Sequence, residues 1–306
     1  MIQSLSNTEV FKSLTNDSAR PSHAYLFYGQ DEMLNVEVAK LFAMSIFCGK
    51  LACFNCDACK RTELFKNPDL LIIDKPNIQV SDIEGLIDSV QLKPMIYDYK
   101  VVLITGSEGM NEPAQNKLLK TLEEPNPQVV FVLACTNIEK LLPTVRSRLS
   151  KHYIPNIDLE HLANDLNAKG IDISKFIHCD ITLTDAVRMA SKQDDAILDM
   201  VEKSIYNLKS SSDIPAIVSG LKLVGEQRVR YLQLMLNAVN CALTNSAGVF
   251  SGELIQYIQS VYKDKVLVQI IELINMAIRK VNANVNFNYV TDELFYNILK
   301  ERYLCK

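Results

Sequence analysis

Five short, mostly apolar runs, separated by segments of helical period, limit what this chain can fold into. The runs are 24–28 (AYLFY), 70–74 (LLIID), 100–104 (KVVLI), 129–135 (VVFVLAC) and 151–154 (KHYI). Between them, 33–47, 80–92 and 112–122 carry apolar residues at helical spacing. Strands that are apolar along their length must be covered on both faces, and helices connecting them supply the cover. The expectation is an α/β domain with a parallel sheet.

Nine of the ten prolines lie at or before Pro155, and beyond it the period changes. Segments 159–169, 183–191 and 195–206 read as short helices. Leu232, Met235, Leu236, Val239 and Leu243 then fall at i, i+3, i+4, i+7 and i+11, and Leu267, Ile270, Ile271, Ile274 and Ile278 repeat that spacing. Each set makes one apolar stripe on a helix. A chain of 306 residues exceeds one ordinary core, so two or three domains are expected. Boundaries fall near Asn156 and within 209–213, where Ser210-Ser211-Ser212 reads as a linker.

The first strand leads through Gly29 into a helix, the setting of a phosphate-binding loop. Where that loop needs Gly-Lys-Ser/Thr, the chain has Leu34-Asn35-Val36. The lysine for the β/γ-phosphates and the hydroxyl for magnesium are both missing. The strand ending at Ile104 should offer Asp-Glu for metal and attacking water, but Thr105-Gly106 stand there. Two separate parts of one apparatus are lost, so the expectation is a P-loop-type scaffold that does not hydrolyse ATP.

Formal charge is −4, which argues against a stand-alone nucleic-acid binder. No apolar run approaches the roughly 18 residues of a membrane span, and the N-terminus lacks the pattern of a signal peptide. A cytoplasmic protein without membrane partners is expected. The cysteines then belong to a reducing compartment, where clustering favours metal over disulfide.

Cys48, Cys53, Cys56 and Cys59 form a C-x4-C-x2-C-x2-C array, while the other cysteines, at 135, 179, 241 and 305, are scattered. Four thiolates can enclose one tetrahedral zinc, leaving no open position for catalysis, so the reading is structural zinc. Unmetallated thiols and an iron–sulfur cluster remain as alternatives.

The segment 116–125 (NKLLKTLEEP) is an amphipathic helix with Leu118, Leu119 and Leu122 inward and Lys117 and Lys120 outward; Pro125 ends it. The strand 129–135 follows, closing on Thr136-Asn137 at the end where α/β sheets bind ligands. Then comes 141–148 (LLPTVRSR). By residue pattern alone, Arg148 reads equally well as a surface ion-pair partner.

Strand, defective loop, four-cysteine insert, LLKTLEEP, Thr-Asn and RSR, in this order, resemble the AAA+ clamp-loader subunits of bacterial DNA polymerase III. The missing lysine and Asp-Glu resemble the delta-prime branch rather than the hydrolysing tau/gamma branch. So does the ending, Asn282-Ala-Asn-Val-Asn286 followed by a helix over 289–303.

The resemblance implies an AAA+ parallel-sheet domain with zinc insert (1–156; insert 48–59), a small helical lid (157–209) and an all-α oligomerisation collar (210–306). It implies tau/gamma and delta subunits, a sliding clamp and primer–template DNA as partners. It implies that Ser147-Arg148 supply an arginine in trans to a neighbour's ATP, with Leu149 in place of the family's cysteine; Arg146 stands two residues earlier. A planar, permanently charged fork suits that task. Lys120 matches a position that faces the DNA backbone in related loaders, though a solvated helix face explains it as well. The cysteine insert departs from the family by a shorter gap before Cys53. A sensor arginine is not evident over 190–195, where Asp194 and Asp195 stand, and His23 is given only a packing or capping role.

Two rivals remain. One is a divergent tau/gamma-type ATPase using a lysine from elsewhere, Lys40 being nearest but over a turn into the helix. The other is a zinc-containing single-strand DNA-binding protein, against which stand the acidic balance and the near absence of aromatics in the cysteine array, Phe54 excepted.

Overall fold

The computed structural model describes residues 3–8, 11–12, 14, 20–50, 52–177, 181–246 and 249–304; Cys179 and Cys305 lie outside them. The chain divides into two compact units: Met1–Ile171 with Thr182–Thr184, and Asp172–Ile181 with Asp185–Lys306.

The first unit holds a five-stranded sheet in the order β2-β3-β4-β1-β5. The strands are β1 (Ala24–Tyr28), β2 (Leu70–Asp74), β3 (Lys100–Thr105), β4 (Val129–Cys135) and β5 (Ser150–Tyr153). All neighbouring pairs are parallel. The central strands β3, β4 and β1 are buried almost end to end, as their apolar runs require. β5 departs from the expectation: it begins one residue early and is mostly exposed. It is an edge strand paired only to β1, so its outer polar groups can meet water.

Helix α1 (Glu32–Cys48) packs on β1, β3 and β4 and is buried on most sides. After it come α2 (Asp57–Glu63), α3 (Val80–Gln91), α4 (Glu112–Glu123), α5 (Pro143–Arg146) and α6 (Glu160–Asn167). α3 and α4 pack together, and Ile83, Leu86, Leu118 and Leu122 join Val102, Ile104 and Phe131 in one core.

Helix α7 (Leu183–Ala190) begins in the first unit and runs into the second. The second unit continues with α8 (Asp195–Asn207), α9 (Ile214–Gly220), α10 (Glu226–Thr244), α11 (Gly252–Val261), α12 (Asp264–Asn282) and α13 (Phe287–Leu304). The stripe centred on Leu232, Met235 and Val239 shares a core with Leu267, Ile270 and Ile274. The Ser210 stretch is not a loose linker. Its serine hydroxyl and backbone N–H both donate to Asp213, which makes a capped 3-10 turn and holds that carboxyl below the usual range.

One buried ion cluster fixes this unit. Arg230 Nε and Nη2 donate to Asp194 Oδ2 at 2.8 and 2.5 Å, and Nη1 donates to Asp185 at 2.5 Å. Asp194, one of the acids that stand in the 190–195 stretch, is only 1% exposed and is therefore a partner for arginine within this unit. Among the described residues, no helix is long and apolar enough to cross a membrane.

Candidate functional site

The loop after β1 and the N-terminus of α1 are tied down by side chains of the first unit. Asp31 caps α1, accepting from the Leu34 N–H at 3.1 Å. It also accepts from the Leu183 N–H, and from the Thr184 hydroxyl at 2.6 Å, capping the start of α7 as well. The Thr184 hydroxyl in turn accepts from the Met33 N–H at 2.9 Å. Helix N-termini attract anions because their first N–H groups lack partners, and a phosphate would sit there. Here a buried carboxylate, 3% exposed, takes the Leu34 N–H, and the Thr184 hydroxyl takes the Met33 N–H.

Asn35, which the sequence pattern compares with a phosphate-binding lysine, is 1% exposed. Its Nδ2 donates to the carbonyls of Gly29 and Cys135, both at 2.9 Å, tying the loop after β1 to the end of β4. Gly29 is glycine for a packing reason: a Cβ there would lie 2.2 Å from the Ile154 carbonyl oxygen. Val36 is half-buried on α1 and offers no ligand atom.

At the neighbouring strand end, Thr105 is buried and its hydroxyl donates to Asp74 Oδ1 at 2.5 Å. Gly106 turns the chain with φ +55°. Sequence reasoning missed Glu108 just beyond, which accepts from the Thr136 N–H at 2.8 Å and hydroxyl at 2.5 Å. No spacing rule links Glu108 to Thr136; parallel pairing of β3 and β4 brings them together. Cys135 is buried beside them, its thiol pushed up to about 12 by burial and by the nearby Glu108 charge.

Arg148 follows α5 and is partly exposed. Its Nη1 donates to the Thr144 carbonyl at 2.7 Å and its Nη2 to Glu123 Oε1 at 2.5 Å. Ser147 is exposed and its hydroxyl donates to the Thr144 carbonyl at 3.0 Å. Leu149 enters the core beside the sheet. Arg146 is committed differently, to Glu139 at 2.8 Å. On α4, Lys117 pairs with Glu84 at 2.8 Å, whereas Lys120 is exposed with no ion pair among the described residues. Lys40 pairs with Glu37 at 3.3 Å, on the flank of α1 rather than at its N-terminus.

The four array cysteines converge. Sulfur separations are 3.5 Å for Cys48–Cys53, 3.6 Å for Cys56–Cys48 and 3.9 Å for Cys53–Cys59, and all four lie within 4.8 Å of one another. A tetrahedron of roughly 2.3 Å zinc–sulfur bonds has edges of about 3.8 Å, so the set fits a metal ion. Backbone N–H groups of Asn55 and Cys56, with the Cys48 thiol, hold the Cys53 thiol down to about 6. Burial pushes the Cys59 and Cys48 thiols upward.

Beyond the array, α2 ends in a turn in which the Lys66 N–H donates to the Arg61 carbonyl at 2.8 Å and the Phe65 N–H to Thr62 at 3.1 Å. Such a helix end calls for glycine at its left-handed position. Phe65 holds that position with φ +53°, a strain of about 1 kcal/mol for a residue with a Cβ.

A five-stranded parallel sheet covered by helices, with a buried carboxylate at the N-terminus of α1 and a four-cysteine cluster, defines an α/β domain. The sequence model of the family described as "DNA polymerase III, delta subunit" matches residues 6–158, half of the chain. The chain belongs to this family of clamp-loader-related DNA polymerase III subunits.

It is 37% identical over 161 residues to DNA polymerase III subunit tau/gamma of Haemophilus influenzae, covering 50% of this chain and 23% of that one. It is 35% identical over 144 residues to subunit delta' of Bacillus subtilis (45% and 43%), and 33% identical over 146 residues to subunit delta' of Pseudomonas aeruginosa (45% and 44%). The chain thus matches less than half the length of each of these relatives. A solved gamma-subunit-related protein of Thermotoga maritima aligns over 96% of this chain and all of its own, with a TM-score of 0.47 and 18% identity.

Proposed function

We propose that this chain is a non-hydrolysing, delta-prime-type subunit of a DNA polymerase III clamp loader. It keeps the nucleotide-binding architecture as a rigid element, lends Arg148 to ATP held by a neighbouring subunit, and helps load a sliding clamp on primed DNA. The observation that carries this reading is Asp31: its carboxylate takes the Leu34 N–H and holds the Thr184 hydroxyl that takes the Met33 N–H, where a phosphate would rest, while Asn35 stands where the neutralising lysine would be.

In this reading the four cysteines hold structural zinc, and Lys120 faces the DNA backbone. Residues 157–209 form a lid and 210–306 part of a collar joined to tau/gamma and delta-type subunits. Tyr289, Tyr296 and Tyr303 support the collar assignment: they are 63%, 60% and 57% exposed at seven-residue spacing on α13. A seven-residue repeat of large side chains keeps one face toward a partner helix.

The ATPase reading draws on the identity to tau/gamma and on the carboxylate of Glu108 near the slot. Against it, the first turn of α1, Glu32 to Asn35, carries no cation to hold phosphate. Labelled ATP and the isolated chain decide between the two: the delta-prime reading expects no saturable binding and no turnover, and turnover by the lone chain would end it.

A further inference from the structure

We propose that the end of α2, beside the four-cysteine cluster, is a contact site for single-stranded nucleic acid. Its parts are the ring of Phe65, the side chain of Leu64 and the cations Lys60, Arg61 and Lys66. The site stands apart from the Arg148 reading and does not depend on it.

The starting observation is a strained residue with no burial to offset it. Phe65 occupies a left-handed position that favours glycine, yet it is 58% exposed and its neighbour Leu64 62%. Strain retained at an exposed aromatic points to a contact role. The Nζ of Lys40 lies 5.5 Å from the Phe65 ring centroid, and most of the side chain faces water.

Basic residues flank this ring along the chain. Lys60 and Arg61 are in the last turn of α2, and the turn folds the Lys66 backbone onto the Arg61 carbonyl at 2.8 Å. All three are exposed, with no carboxylate partner among the described residues. The frame beneath them is held on both sides. Cys59, next to Lys60, is buried in the sulfur cluster, and Asn67 Nδ2 donates to Thr62 Oγ1 at 3.1 Å.

An exposed ring that already holds one ammonium over its face, with three further cations close to it in the chain, matches a strand of bases and phosphates: a base can stack on the exposed part of the ring, and successive phosphates meet the cations. Two apolar side chains are too few to form the core of a standard protein interface, which takes about 20 residues a side. Charge complementarity alone would also admit an acidic polypeptide, so the test separates the two.

The test uses the full chain with its metal bound and a fluorescein-labelled 20-mer of thymidylate, read by anisotropy at about 50 mM salt. Binding is expected with a log–log salt slope of about −2, from three cations at roughly 0.7 each. Phe65→Ala and Phe65→Gly should each weaken binding about tenfold, and Lys60→Glu with Arg61→Glu should abolish it. Phe65→Gly should leave Tm unchanged or raised, because glycine takes the left-handed conformation without strain. Three results overturn the proposal: no binding at low salt; an unchanged affinity together with a lowered Tm in Phe65→Gly, which makes Phe65 a structural residue; or displacement of the oligonucleotide by polyglutamate at equal charge concentration, which assigns the patch to acidic protein.

Discussion

Arg148 is held by Glu123, the last residue of α4, through an Nη2–Oε1 hydrogen bond of 2.5 Å. The two side chains are 33% and 49% exposed, so the pair is the kind worth well under 1 kcal/mol in water. Under the proposed function, a neighbour's triphosphate carries more charge than one carboxylate, so the guanidinium could exchange partners at little cost. The pair parks the arginine at a defined place without committing it.

For Arg148→Ala, the expected outcome is a chain that folds and assembles normally but a loss of most DNA-stimulated ATPase in the reconstituted complex. Removal of a trans arginine typically costs about three orders of magnitude at the site it serves. Glu123→Ala should retain that activity, since it removes only the resting partner. Steady-state ATPase with primed DNA and clamp reads both, and an unchanged rate in Arg148→Ala takes this residue out of the mechanism.

Restoring the lysine should not restore the nucleotide. Asn35→Lys loses two hydrogen bonds, to Gly29 and Cys135, and leaves the Asp31 carboxylate over the phosphate position. Equilibrium binding of labelled ATP to this variant should stay at background. Asp31→Ala, which uncaps α1 and the start of α7, should lower stability by about 2 kcal/mol in urea unfolding, with Asp31→Asn losing less.

Chelation of the metal should melt the segment around α2 while leaving the sheet intact. Zinc released per chain, measured by a colorimetric chelator, should approach one ion, and Cys59→Ser should reduce it strongly. Acidification should release the ion as well, because each thiolate must take up a proton to let go. Gently purified chain with no bound metal would contradict the zinc assignment.

Arg230→Ala strands a buried carboxylate. Asp194 is 1% exposed and its two strongest donors come from this guanidinium, so the loss should be about 3–5 kcal/mol in denaturant unfolding. Arg230→Lys should recover only part, since an ammonium cannot make the paired contacts of the fork.

Tyr289→Ala with Tyr296→Ala should leave folding unchanged, because both side chains face water, but should weaken assembly with neighbouring clamp-loader subunits at least tenfold. Size-exclusion chromatography against concentration reads the difference. Unaltered assembly would turn attention to another face of the second unit.

Much of this protein was legible in its residues. Apolar runs marked β1, β3 and β4 and the parallel arrangement, because a strand buried on both faces cannot carry polar residues in its middle; the exposed edge strand β5 was found with its start one residue off. The cysteine spacing announced a cluster, since four thiols within twelve residues can scarcely avoid one another. That Asn35 and Thr105-Gly106 are neither Lys nor Asp-Glu was visible in the letters themselves.

What those positions contact was decided only in three dimensions. Asp31 finds Thr184 across 153 positions of chain, and Asn35 finds the Cys135 carbonyl across 100. Glu108 meets Thr136 only because β3 and β4 lie side by side, and Phe65 is displayed only because the helix before it ends in a tight turn. Local patterns follow from which side chains must leave water. Partners for hydrogen bonds and charges depend on which distant segments packing has already brought within about 3 Å of each other.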